Sequence, residues 1–248
     1  MSRASLSRLD PSTLPHVWRV GDLARETATV AAGHPALDEA LPGGGWPVGC
    51  LVEVLQRRPQ QHVWQLLRPA LATVLARSSG PVVLVGPPLQ PFGPSLQGQG
   101  LPAQRLLCVH ADGAGARLWA AEQALRCAQV AAVLAWLPVA RQEELRRLHL
   151  AAQQQQRLLF VLRTWKARHE SSPAPVRLLL DGVDRMEVQV LKRRGPPLVH
   201  PLQLPAVSGR LAALLEARKA RRPAAGPQPS PAGVPERSHV LDRTAAVQ

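Results

Sequence analysis

The chain of 248 residues contains no tyrosine, two phenylalanines and three cysteines. Cys50, Cys108 and Cys127 are far apart and form no C-x-x-C, which excludes a disulfide framework and a zinc ribbon. Lysine is scarce: Lys166, Lys192 and Lys219 are all there are, so the basic charge is nearly all arginine. No apolar run reaches the roughly 18 residues of a membrane span. The opening MSRASLSRLDPSTLP lacks the apolar stretch of a secretory signal. The expectation is a reduced, cytoplasmic protein that does not enter a membrane.

What is present is a chain with 46% hydrophobic residues, six tryptophans and 25 prolines. Such a composition excludes full disorder and permits a real core. Lys plus Arg number 30 against 17 Asp plus Glu, a formal charge of +13. A basic balance of this size suits a polyanion such as nucleic acid or an anionic membrane surface. A base composition that raises Arg, Pro and Ala together accounts for it equally well. The charge is spread along the chain, with only +3 in residues 216–248.

Residues 1–15 are polar and irregular, and 16–49 form a connected segment ending in LPGGGWPVG. LVEVL (51–55) is a short apolar run bounded by turn signals, hence a buried strand. From Gln60 to Arg77, Val63, Trp64, Leu67, Leu71, Val74 and Leu75 recur at helical spacing. PVVLVG (81–86), RLLCVHA (105–111), AAVLAWL (131–137) and RLLFVLRT (157–164) read as further strands, the last three separated by helices over 115–129 and 141–156. This alternation predicts a mainly parallel sheet flanked by helices, an α/β fold. VRLLLDG (176–182), MEVQVLKRRG (186–195) and PLVHPLQLP (197–205) then read as a C-terminal antiparallel extension. Residues 208–222 read as a helix with Ser208 as N-cap, and 223–248 as a disordered tail rich in Pro, Ala and Gly.

A parallel sheet carries its ligand beyond the carboxyl ends of its strands. A phosphate loop after LVEVL needs G-x-x-x-x-G-K-[ST], with backbone N–H groups around the phosphates, a lysine for charge and a hydroxyl for magnesium. The chain has Gln56, Arg57, Arg58, Pro59, Gln60, Gln61, His62 and Val63 instead. Glycine, lysine and hydroxyl are all missing, and Pro59 removes an N–H. Gly86-Pro87-Pro88-Leu89 supplies no carboxylate after the next strand, and Trp136-Leu137 stand where a magnesium-linked Asp would close a third. Neither a catalytic set, a cofactor nor a metal is expected. Residues 93–98 miss the G-x-S-x-G spacing and read as a turn. Asp181, Asp184 and Glu187 lie close in sequence, but Asp181-Gly182 is a hairpin dipeptide and favours a solvated turn over a metal site. Cys108 and His110 alternate along a strand as core residues also do.

Two basic clusters stand out. Arg163, Lys166 and Arg168 flank Trp165, and Lys192, Arg193 and Arg194 end a later strand. A tryptophan among cations suits single-stranded nucleic acid, by stacking and phosphate contact. An ordinary charged loop and sheet edge explain the same residues.

Residues 17–55, VWRVGDLARETATVAAGHPALDEALPGGGWPVGCLVEVL, resemble the start of the RecA core, where T-G-x-x-x-L-D-x-x-L-G-G-G-x-P-x-G-x-x-x-E leads into the phosphate loop. Gly33, Leu37, Asp38, Leu41, Gly43 to Gly45, Pro47, Gly49 and Glu53 match that shape. LPGGGWPVGCLVEVL and VLAWLP are most similar to the ImuA family of RecA-like, translesion-synthesis-associated proteins, sometimes labelled SulA-like. The resemblance covers about residues 17–205. It implies a RecA-like core over 16–207 and a DNA-damage (SOS) role as a non-catalytic adaptor. The implied partners are an ImuB-like polymerase homologue and an error-prone C-family polymerase, with RecA and DNA as further candidates. The phosphate-loop positions fall on Gln61, His62 and Val63, and a RecA-type DNA loop would be reduced to about Trp165–Pro175. The helix of 208–222, through Leu211, Leu214, Leu215 and Arg218, is a candidate partner surface. A DNA-binding RecA-like module, a weak nucleotide-binding ATPase and, more distantly, a SulA-like cell-division inhibitor are the competing readings.

Overall fold

A computed structural model divides the chain into two compact units, residues 1–207 and 208–248. The described residues are 28–206 apart from Gln60 and Asp184, together with Ala217. The expectations for residues 1–15, for the helix of 208–222 and for the tail lie outside them.

Ten strands and five helices make up the described part. A two-stranded antiparallel ribbon pairs β1 (Thr29–Val30) with β2 (Trp46–Pro47), and α1 (Pro35–Ala40) lies between them in sequence. The main sheet has eight strands. In chain order these are β3 (Leu51–Gln56), β4 (Val82–Val85), β5 (Leu106–Val109), β6 (Ala132–Trp136), β7 (Leu158–Thr164), β8 (Val176–Asp181), β9 (Met186–Lys192) and β10 (Leu202–Leu204). Their spatial order is β10-β9-β8-β3-β7-β6-β4-β5. Every pairing from β8 to β5 is parallel, and β9 and β10 add antiparallel at one edge. This is the mainly parallel α/β sheet expected from the alternation.

Helix α2 (Val63–Arg77) covers one face, packing Leu66, Leu67, Ala70 and Leu71 against Val52, Val54 and Leu134. Helices α4 (Ala114–Arg126) and α5 (Gln142–Gln155) cover the other, with Leu118, Leu125, Leu145 and Leu148 over Val83, Val133 and Val161. Glu122 joins these two helices by accepting from Arg126 at 2.7 Å and from Arg147. Helix α3 (Gly93–Gln97) is a short turn within the Pro- and Gly-rich loop after β4, where no element was expected.

The sequence reading needs one topological correction. VRLLLDG was grouped with the antiparallel extension, but β8 pairs parallel with β3, Glu53 opposite Arg177. The chain crosses from β7 to β8 through a 3-10 turn, Trp165–His169, and the segment 170–175. That crossover is near the shortest a parallel connection allows. Five successive buried residues in β8 are the mark of a strand covered on both faces, whereas β9 alternates buried and exposed positions.

The motif residues of 33–53 have structural roles. Asp38 accepts from the backbone N–H of Ala32 at 2.5 Å and of Gly33 at 3.2 Å, tying the turn before α1. Gly33 has φ +77°, and a Cβ there would lie 2.3 Å from Pro69 Cβ. Pro69 sits inside α2 and leaves the Gln65 carbonyl without its helical donor. His34 Nε2 takes that place, donating to Gln65 O at 3.1 Å. Trp46 is fully buried and meets Phe160 edge-on, ring centroids 5.3 Å apart.

Candidate functional site

The carboxyl ends of β3, β4, β6 and β7 surround the place where such sheets hold a ligand. The segment after β3 folds back on itself there. Gln56 is buried and its Nε2 donates to Gln61 O at 3.1 Å. His62, at φ 58°, is the N-terminal flank of α2 and makes no side-chain cap. The β8–β9 turn closes over the segment: Gly182 O accepts from His62 Nε2 at 3.2 Å and from Gln61 Nε2. Asp181 pairs with Arg57. A phosphate loop presents N–H groups, but here the turn brings a carbonyl oxygen and a carboxylate, both of which repel a phosphate.

A cavity of about 180 Å³ remains beside this segment. Pro59, Pro88, Pro138, Trp136 and Leu162 form its apolar walls, and Arg57, Arg117 and Arg163 its cationic lining. Gly86, at φ +60°, makes room for one of them, since a Cβ there would lie 2.8 Å from the Arg117 side chain. Arg117 Nε donates to Ala111 O at 3.0 Å. Sequence reading marked Trp136 only as a departure from an acidic position. Arg117 carried no signal, because it reaches the cavity from a helix between two strands.

The expected nucleic-acid set does not stay together. Arg163 is withdrawn from it: the residue is 4% exposed. Its Nη1 donates to Glu53 Oε1 at 2.9 Å, and its Nη2 to Ala140 O at 3.1 Å and Glu170 Oε2 at 2.7 Å. A guanidinium held this way cannot reach a phosphate backbone. Glu53, fully buried, is also bound by Arg177 Nε at 2.6 Å, and Arg177 fastens the crossover through Ala167 O at 2.8 Å and Glu170 O at 3.0 Å. Trp165 lies half-buried under two guanidinium groups, Arg57 and Arg168, each 5.0 Å from the ring centroid, so a stacking base would displace a cation already there. Lys166 and Arg168 are exposed.

Lys192, Arg193 and Arg194 lie at the opposite end of the parallel strands, Lys192 facing Arg177. Lys192 Nζ donates to Ser172 O at 3.0 Å, and Arg193 binds Pro196 O and Ala40 O. Arg194 is exposed, and its charge partly offsets the burial that pushes the Cys50 thiol up. Burial also raises the Cys108 thiol, so neither thiol is activated. Asp181 and Glu187 stand opposite each other in the β8–β9 pairing, but Asp181 is paired with Arg57 and Glu187 accepts from Gln203 at 3.2 Å. Among the described residues no group of three or more His, Cys, Asp or Glu is placed to hold a metal ion. None of their helices is long and apolar enough to cross a membrane. Leu211, Leu214, Leu215 and Arg218 lie outside the described residues.

Fold and site together define a mainly parallel α/β domain in which the segment after β3 is closed by side chains and a neighbouring turn. Residues 49–158 match a family described as Cell division inhibitor SulA. The chain is 34% identical over 135 residues to Protein ImuA of two strains of Caulobacter vibrioides, a match that covers 51% of this chain and 54% of the relatives. The chain is thus similar to Protein ImuA over about half its own length, and it spans about half the length of the curated relatives it matches.

Proposed function

We propose that this chain is a cytoplasmic, non-catalytic accessory protein of DNA-damage-induced translesion synthesis. It acts as an adaptor between an ImuB-like polymerase homologue and an error-prone C-family polymerase. The observation that carries the non-catalytic part is the closed segment 56–63. Its glycine, lysine and hydroxyl positions hold other residues, and Gly182 O occupies its hydrogen-bonding side. Phosphoryl transfer depends on a positioned phosphate cradle and its metal, and this loop has neither the lysine nor the hydroxyl of one, while Pro59 removes an N–H. Similarity to Protein ImuA supports the DNA-damage setting and, with it, the reading of polymerase partners; RecA is a further candidate partner.

Co-purification with the polymerase homologue tests the adaptor role. The full chain retains that partner, and loss of binding on deletion of residues 208–248 places the contact on the C-terminal segment. Unchanged binding removes that segment from the interface. Titration calorimetry with Mg-ATP gives no isotherm, and a micromolar one overturns the non-catalytic reading.

A second reading, direct DNA binding, has one observation in its favour. Lys166, Arg168 and Arg194 are exposed cations on a chain with net charge +13. It requires an affinity that falls steeply with salt. Reversing the charges of Lys192, Arg193 and Arg194 should weaken it.

A further inference from the structure

The main sheet ends on β10 at one side and on β5 at the other, and the two edges differ. A free edge strand invites pairing with another chain, and proteins blunt it with proline, charge, a bulge or a short run. Strand β10 is three residues long and stands between Pro201 and Pro205. Strand β5 is Leu106-Leu107-Cys108-Val109, with no charge, no proline and no break in its register with β4. Leu107 is 52% exposed, whereas β3, β4 and β6 are buried throughout. Among the described residues nothing pairs with the outer side of β5.

The backbone groups of β5 say what that side can pair with. Val109 O accepts from the Gly86 N–H at 2.9 Å, so Val109 turns its polar groups toward β4, and Leu107 does the same two residues earlier. By the same alternation Leu106, Cys108 and His110 turn theirs outward. The Leu106 N–H is already given to Ala103 O. The open edge therefore presents an acceptor at Leu106, a donor and an acceptor at Cys108, and a donor at His110. Taken in reverse, this order is its own complement. A second β5 laid antiparallel, with Cys108 on the two-fold axis, meets it group for group. Cys108 exchanges both bonds with its copy, and the His110 N–H donates to Leu106 O of the partner subunit. A two-fold axis at Leu107 would instead face Cys108 O with the occupied Leu106 N–H. Side chains agree with the first register. It sets Leu107 against Val109 on the α4 face, and no two like charges stand opposite each other between residues 104 and 112. Helix α4 borders that face with Ala120 and Ala124, short side chains that leave room for a second copy.

We propose that β5 is a homodimer edge, through which two copies of this chain join their sheets about a two-fold axis at Cys108. Such a pairing is isologous and uses up the free edge of both copies, so it closes at two. It stands independently of the adaptor reading.

Sedimentation velocity of the full chain tests the mass, and amide hydrogen exchange tests the strand. The paired strip is short, at the low end of specific interfaces, so a Kd of about 10–100 µM is expected. Over a range of about 1–200 µM the chain passes from monomer to dimer and no further. Exchange at Cys108 and His110 slows over the same range, while Leu107 and Val109 are protected at every concentration by the β4 pairing. Leu107→Lys sets a cation beside the axis in both copies and weakens association at least about tenfold. His110→Pro removes the outer donor, leaves the β4 pairing alone and acts in the same direction. A variant that loses its circular dichroism leaves the decision to exchange in the unaltered chain. A monomer throughout the range, a dimer of unchanged affinity in Leu107→Lys, or exchange at Cys108 and His110 that ignores concentration overturns the assignment. So does protection of these two amides at constant monomer mass, which assigns the edge to another segment of the same chain, and so does growth beyond the dimer.

Discussion

Replacing Glu53 by glutamine removes the one negative charge between two buried guanidinium groups. The carboxylate is fully buried, Arg163 and Arg177 are 2% and 8% exposed at the side chain, and the contacts are 2.9 and 2.6 Å. In the variant Arg163 keeps Glu170, whose side chain is 54% exposed, while Arg177 keeps only backbone carbonyls. Breaking a buried pair from one side costs about 3–5 kcal/mol, because the remaining charge stays desolvated. At a urea slope of about 2–3 kcal/mol/M, this lowers the unfolding midpoint by roughly 1–2 M. Urea denaturation followed by tryptophan fluorescence reads it directly. Combined replacement of Glu53, Arg163 and Arg177 by Leu and Met recovers most of the loss, since an apolar set of similar volume carries no desolvation cost. A Glu53→Gln loss below about 1 kcal/mol, the range of an exposed pair, refutes the reasoning.

Three further outcomes follow from packing and protonation. His149 Nδ1 accepts from the Leu51 N–H at 3.1 Å, and burial lowers its pKa. The unfolded chain then binds more protons than the folded one below about 6.5, so stability falls on acidification through that range. His149→Leu flattens this part of the stability profile, measured by thermal melts at pH 5 and 7.5. Gly45→Ala places a Cβ 2.3 Å from the Val30 carbonyl oxygen, a backbone atom that cannot swing aside. A loss of about 2 kcal/mol or more lowers the melting temperature by roughly 4–8 °C. Trp46→Ala removes a fully buried ring from its edge contact with Phe160. The expected cost is about 3–5 kcal/mol, checked by calorimetry.

The motif of residues 33–53 was legible because each member acts locally or at the next element. Asp38 bonds two backbone groups five and six positions away, and Leu37 and Trp46 are buried beside it. The β3, β4, β6 and β7 strands were legible as apolar runs bounded by turns. Strand β8 was legible as a strand but not in direction. Its crossover has no helical periodicity, so the chain alone does not say which neighbour it joins. Its unbroken apolar run, beside the alternation of β9, was the signal for a parallel strand.

The site divides along the same line. Missing glycine, lysine and hydroxyl in residues 56–63 were read directly, because the phosphate cradle is a contiguous loop. That Gly182 closes this loop depends on a turn 120 residues away. Arg163 looked like a free cation beside Trp165 until the fold brought Glu53 to it across 110 residues. Sequence by itself thus determined the alternating sheet, the entry motif and the lack of a phosphate-loop pattern in residues 56–63, because these rest on periodicity and near-neighbour bonding. Only the tertiary structure decided which arginines are neutralised and which line a cavity, because charge pairing depends on distances that the order of residues does not contain.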